Sequence, residues 1–458
     1  MLFALFGFMF AVLPVVAPGP WLDFLPLRHG YSVSYLELKV LCIFVGFAGL
    51  LFVWLVGAHG LRLRGLWAAF RNSEPWSQSL FAAVPIMAIA SVMSAEHFAV
   101  ALIGSAARID GALVVGMSLL LTPLIARVVM QSRANAVVIS TIVACGPTVL
   151  VVGAVTANLA LGLDRGTMAD AIGLGHPALF GALMAIWCVF SIGLAATNSR
   201  SSIFVILPAI YAIGVGVAGG RAAMVALLVS APALLLFLRL RANVTVVRLV
   251  CQGLLIAAGF ALGVFGTDYG LSRSLSLGEA IQGGDQSFNS RLITWRAGVD
   301  LLAANPWFGI GQDGFSRELW TVVTPDEERK LFREFAPPSA VDSAIRSGTL
   351  LIYDDPNTGP RITAMGYDRS HNAFLDFGLL FGVPALILVA ASIGLLLMRV
   401  LQTRDPIVLA AGFAFVAYGI YSLAWFWSPQ VSPLAYGLLG VAAGMSGGSD
   451  RSQSNGDS

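Results

Sequence analysis

The chain has 458 residues, of which 57% are hydrophobic and only 11% charged, and its mean hydropathy is +0.82. A soluble domain carries about 25% charged residues, so this composition excludes an ordinary soluble enzyme and points to an all-α polytopic membrane protein. A net charge of +2, with no basic tail and no basic-aromatic repeat, gives no basis for nucleic-acid binding.

The first apolar run, Leu2 to Val16, lacks a basic leader and a small-x-small cleavage site and reads as a retained span. Further runs near 36–58, 76–95, 111–129, 135–157, 177–197, 202–218, 222–239, 247–266, 374–399, 406–424 and 428–445 bring the expected number, with 2–18, to twelve. Cys42, Cys145, Cys188 and Cys251 all fall within apolar stretches without CxxC spacing, so neither a disulfide framework nor a metal site is indicated. Arginine placement orients the spans. Even-numbered joints carry Arg62, Arg64, Arg71, Arg127, Arg133, Arg200, Arg239, Arg241, Arg248, Arg399 and Arg404; short odd-numbered joints carry only Arg28, Arg108, Arg165 and Arg221. The positive-inside rule then puts both termini in the cytoplasm.

The expected organisation is spans 1–9 over 1–266, an external domain over 267–371, spans 10–12 over 372–445 and a disordered cytoplasmic tail over 446–458. In the external domain, "NSRLITWRAGVDLLAANP" sets Leu292, Trp295, Val299 and Leu302 at helical spacing, with Asn289 or Ser290 as cap and Asn305-Pro306 as stop. "TPDEERKLFREF" is a capping box, Thr324 with Glu327, and has Pro325 at the first helical position. Its acidic cluster is better explained by dipole matching than by a metal. "GIGQDG" matches a dinucleotide-binding pattern but lacks the preceding strand, and it reads as a tight turn that brings backbone close to a neighbour.

Three polar residues stand out. Arg221, in "AGGRAAM" between two apolar runs on the external side, is either an interfacial arginine reaching for water or a functional charge. Arg291 sits in the first turn of the external helix, where free amides and the dipole favour an anion; the competing reading is a solvated surface arginine. Arg296 points to another face and is a weaker candidate. His371 lies where the external domain re-enters the membrane, at a helix N-terminus that favours the neutral imidazole suited to a general base. His29, His59, His97 and His176 have no acidic or histidine partner at ligand spacing and read as interfacial or packed.

Together these residues resemble the O-antigen ligase and polymerase superfamily of bacterial envelope glycosyltransferases. The likeness is carried by "AGGRAAMVALL", by "SRLITWRAGVDLLAANPWFGIGQDGF", by "SHNAFLDFGLLFGVPALIL" and, more faintly, by "GHPALFG", over roughly residues 160–400. The resemblance implies a GT-C-like, inverting enzyme of the bacterial inner membrane with its site on the periplasmic face. Its donor would be a glycan on undecaprenyl pyrophosphate. Its acceptor would be a sugar hydroxyl, on lipid A-core for a ligase or on a lipid-linked glycan for a polymerase. It implies Arg221 and Arg291 as pyrophosphate ligands, His371 as the base, and no metal or cofactor, since paired arginines can hold the leaving group's charge. Lys39 and Lys330 are the only lysines, so a further basic residue from the early external joints would be an arginine, with Arg108 as the candidate. A glycolipid flippase or transporter is the rival class, favoured by twelve spans; the missing internal repeat and the large external domain speak against it.

Overall fold

The computed structural model describes residues 71, 73–94, 98–104, 110–130, 151–153, 176–197, 202–267 and 286–454, with isolated positions besides. Its helices are α1 (Pro75–Ser94), α2 (Phe98–Ile103), α3 (Ala112–Val129), α4 (Pro177–Thr197), α5 (Ser202–Ala218), α6 (Arg221–Ala242) and α7 (Val246–Phe265). After these come α8 (Gln286–Ala304), α9 (Gly314–Val322), α10 (Pro325–Phe332), α11 (Ala373–Gln402), α12 (Pro406–Ser422) and α13 (Ser432–Ser454). Six of them, α1, α3, α4, α6, α7 and α11, are long and apolar enough to cross a membrane, and α12 and Phe204–Ala218 of α5 are shorter apolar helices.

The expected runs between 76 and 129, between 177 and 266, and from 374 onward coincide with these helices. Those at 2–18, 36–58 and 135–157 fall largely outside the described residues, as does Arg108. The last helix begins later than expected and continues to Ser454, through the segment expected to be a disordered tail.

The bundle is built around α4. Its residues Pro177 to Ala196 are all buried, and it packs against α5, α6 and α12. Helix α5 also crosses α7, where Gly259 and Gly263 meet the backbone of Ala209 and Ile213, the small-residue contact that lets apolar helices approach closely. The outward face of α7 carries Val247, Leu254, Leu262 and Phe265, all exposed, as expected of a helix surface solvated by lipid rather than water. Local chemistry sets the helix ends. Asp405 caps Ile407 N–H ahead of Pro406, and Asn243 takes a left-handed conformation (φ 55°) after Arg239 and Arg241 in the last turn of α6.

The external segment has its own core of Ile293, Ala297, Leu301, Phe315, Leu319, Leu331, Phe332, Leu351 and Tyr367. The capping box of α10 forms as expected from the sequence. The sequence cues in this segment are helical. It also holds a three-stranded antiparallel meander, β1 (Ile345–Ser347), β2 (Leu350–Asp355) and β3 (Gly359–Ala364), in the order β1-β2-β3.

The register of α8 also differs from the sequence expectation. Leu292 and Val299 are exposed, and Ile293, Thr294, Ala297, Gly298 and Leu301 form the packed face. Gly298 allows this: a Cβ there would lie 2.7 Å from Leu375 of α11.

The "GIGQDG" turn locks this segment to α11. Helix α11 breaks at Gly382 (φ 78°, ψ 166°), and the groups left unpaired there bond to the Pro306–Gly311 loop. Ile310 N–H donates to Leu379 O (2.7 Å), and Val383 N–H donates to Pro306 O (2.8 Å). Gly309 (φ 69°) lies so close that a Cβ would be 2.2 Å from Leu379 O.

Candidate functional site

A cavity of about 730 Å³ opens where five segments meet. The start of α4 contributes His176 and Ala178, and the α5–α6 joint contributes Gly219 through Ala223. Helix α8 adds Phe288, Arg291 and Trp295, the entry to α11 adds His371, and the end of α12 adds Tyr421 and Trp425. Arg221, Arg291 and His371, far apart in sequence, therefore line one space.

Each is held by local structure. Arg221 is the first residue of α6, after an extended Gly220 (φ −84°, ψ 108°), and no side chain caps that terminus. The first amides of α6 thus face the cavity with their partial positive charge. Arg291 has its guanidinium carbon 6.0 Å from the centre of the Trp425 ring, at the outer limit of a cation–π contact. Beneath it lies Glu334, whose carboxyl accepts a hydrogen bond from the Tyr367 hydroxyl. Burial raises the Glu334 pKa above its usual 4.5, and bonds from Tyr367 and Ser290 and the charge of Arg291 oppose that rise.

His371 occupies the left-handed region (φ 60°), uncommon for a residue with a side chain. The next residue, Asn372, caps α11 by accepting from Phe374 and Leu375 N–H. The imidazole of His371 stands edge-on to Trp425 and Phe426, at 5.8 and 5.7 Å between ring centres.

A buried polar clamp fixes the backbone that carries His371. The Arg369 guanidinium donates to both carboxylate oxygens of Asp110 (2.8–3.1 Å), to Gln312 Oε1 (2.8 Å) and to Gln312 O (2.6 Å). Both charged side chains are almost wholly buried, at 3% and 2% exposure. Burial alone would lower the Arg369 pKa, but the carboxylates of Asp110, Asp368 and Asp376 together outweigh it and hold the guanidinium charged. Ser370 N–H donates to Asp376 Oδ1 (2.7 Å), and Ser370 O accepts from the Thr294 hydroxyl (3.1 Å). The segment entering α11 is thus pinned by α8, by α11 itself and by the residue before α3.

Arg296 lies elsewhere. It donates to Asp300 (2.9 Å) and to Glu327 (2.7 Å) on the exposed side of α8 and does not line the cavity. Two further residues line it, His176, which the sequence reads as interfacial or packed, and Trp425, which the sequence does not single out. His176 stacks at 4.9 Å on Trp425, and Trp425 is the ring that Arg291, His176 and His371 all touch. Trp425 sits in the aromatic-rich run "YSLAWFW" at the end of α12, and His176 stands just ahead of the proline that opens α4, so both signals were local and unremarkable in sequence.

The arrangement can hold an anion between two arginines and the uncapped N-terminus of α6 and place an imidazole beside it. A family model described as O-antigen ligase matches residues 182–390, a stretch that includes Arg221, Arg291 and His371 but neither His176 nor Trp425. No curated protein matches the chain.

Proposed function

Because the chain belongs to the O-antigen ligase superfamily through residues 182–390, a group of membrane glycosyltransferases of ligase or polymerase type, we propose that it moves a glycan from undecaprenyl pyrophosphate to a hydroxyl of lipid A-core on the periplasmic face. The supporting observation is that Arg221, Arg291 and His371 line one cavity. The acceptor oxygen attacks the anomeric carbon, the bond from that carbon to the diphosphate oxygen breaks, and the configuration inverts. The hydroxyl proton passes to His371. The charge left on undecaprenyl pyrophosphate is met by Arg221, Arg291 and the open amides of α6.

The dimensions agree with this reading. About 730 Å³ suits a diphosphate with its adjoining sugar, within the range of small-molecule sites, and leaves the remaining glycan outside. Arg239, Arg241 and Arg399 lie at the far ends of α6 and α11 from the cavity, the distribution expected if the cavity faces the periplasm. On this reading residues 267–371 form the periplasmic domain, and both termini are cytoplasmic.

The test is transfer in proteoliposomes from a lipid-linked glycan to lipid A-core, comparing the wild type with His371→Ala and Arg291→Ala. Loss of about a hundredfold or more in each is expected, the scale of removing a general base or a transition-state charge donor. Undiminished transfer in both variants refutes the mechanism. Growth of lipid-linked chains without lipid A-core reassigns the enzyme as a polymerase, and glycolipid translocation without transfer supports a flippase.

A further inference from the structure

The hydrogen bonding of His176 gives it a role that its sequence position did not. Its Nδ1 accepts from Ala178 N–H at 3.1 Å, and its carbonyl accepts from Leu179 and Phe180 N–H, so the residue caps the start of α4 with both side chain and backbone. A backbone N–H can only donate. Nδ1 is therefore the bare nitrogen, and the ring proton sits on Nε2. The cap also ties the ring to the start of α4, a helix buried along its length. The ring plane is set by Trp425, 4.9 Å away. An exposed imidazole of fixed tautomer thus stands at the wall of the cavity that also holds Arg221 and Arg291.

We infer that His176 is a diphosphate-binding residue, with its Nε2–H donating to a non-bridging oxygen of the lipid-linked donor. The inference rests on the proposed diphosphate donor. It gives the two cavity histidines opposite tasks: His371 accepts a proton from the acceptor hydroxyl, and His176 donates a hydrogen bond and keeps its proton. Neutral imidazole suits this task, since it adds a directional donor between two arginines without a third positive charge. Trp425, touched by both rings, keeps them apart as a spacer.

Two substitutions separate the functions of the ring. His176→Asn puts an oxygen where Nδ1 was, so the α4 cap survives and the Nε2 donor is lost. His176→Gln carries an amide to the Nε2 position and retains a donor. Binding of undecaprenyl pyrophosphate to the full chain is measured in phosphatidylcholine nanodiscs, which supply no net anionic headgroup, alongside transfer and thermal midpoint. His176→Asn is expected to weaken binding by about ten- to a hundredfold, the worth of a hydrogen bond to a charged group, with its thermal midpoint unchanged. His176→Gln is expected to remain within about threefold of wild type on the same scale. Wild-type binding by His176→Asn, or equal loss in both variants, overturns the assignment and leaves the proposed function standing. A wild type that binds no undecaprenyl pyrophosphate overturns the donor itself.

Discussion

Removing the carboxylate of Asp110 should affect both stability and transfer. Asp110→Ala leaves the Arg369 guanidinium, 3% exposed, without the oxygens that accept from its Nε and Nη2 at 3.1, 2.9 and 2.8 Å. Only Gln312 and the Asp368 carbonyl remain as acceptors. Breaking one side of a buried ion pair costs about 3–5 kcal/mol, most of it the stranded charge. An apolar pair of similar volume, Asp110→Leu with Arg369→Met, strands no charge but leaves buried Gln312 Oε1 and O without the Arg369 donors, and should recover part of that loss. It does not rebuild the bonds from Arg369 to the Gln312 and Asp368 carbonyls that set the backbone before His371. Thermal unfolding of the purified protein should therefore show a clear drop for Asp110→Ala and a smaller drop for the double variant. Transfer should fall in both, through kcat and not through the KM for donor. A single variant with unchanged midpoint, or a double variant with full transfer, refutes the clamp as the device that positions His371.

Other predictions follow from neighbouring features. Burial raises the Glu334 carboxyl above its usual 4.5, so the folded chain holds that proton longer than the unfolded one. Its contribution to stability is full below about pH 4.5 and declines as pH rises through the raised value; Glu334→Gln should raise the thermal midpoint at pH 8 and leave it unchanged at pH 4. Gly309→Ala forces a side chain into a left-handed conformation 2.2 Å from Leu379 O, and should cost at least about 1–3 kcal/mol, detected as faster proteolysis within the external segment. Arg296→Ala removes exposed ion pairs to Asp300 and Glu327; about 0.2–1 kcal/mol of stability is at stake, and transfer should stay at the wild-type rate. Trp425→Ala should reduce transfer more than Trp425→Phe, because a benzene ring still separates the two imidazoles; equal activity of the two would remove the spacer role.

The apolar helices were legible because long uncharged runs between arginine-bearing joints leave the chain few alternatives. The facing of α8 was not. Periodicity at Leu292, Trp295 and Val299 reveals an apolar stripe, but not whether the stripe meets protein or an outside apolar phase. Here the tight contact needed Ala297 and Gly298, which carry little hydrophobic signal. The meander was signalled by "DPNTG" between two runs of six residues, and the helical cues around it drew the reading away. Of the candidate site, charge type was readable from single positions. The convergence of Arg221, Arg291, His371 and His176 on one cavity was not, since nothing local encodes which helix ends become neighbours.

The break at Gly382 divides the labour within α11. The stretch from Val383 to Gln402 is about 30 Å long and matches a hydrocarbon core by itself. The part from Ala373 to Phe381, about 13 Å, packs on the external segment through Leu375 and Leu379 and on the bundle through Leu380 and Phe381. Through the backbone bonds at Leu379 and Val383, the external segment grips the helix at the joint between these lengths. The height of His371 above the lipid is then set by a fixed strut of protein. A bilayer that thins or thickens would tilt the lower stretch and leave the imidazole in register with the arginines that share its cavity.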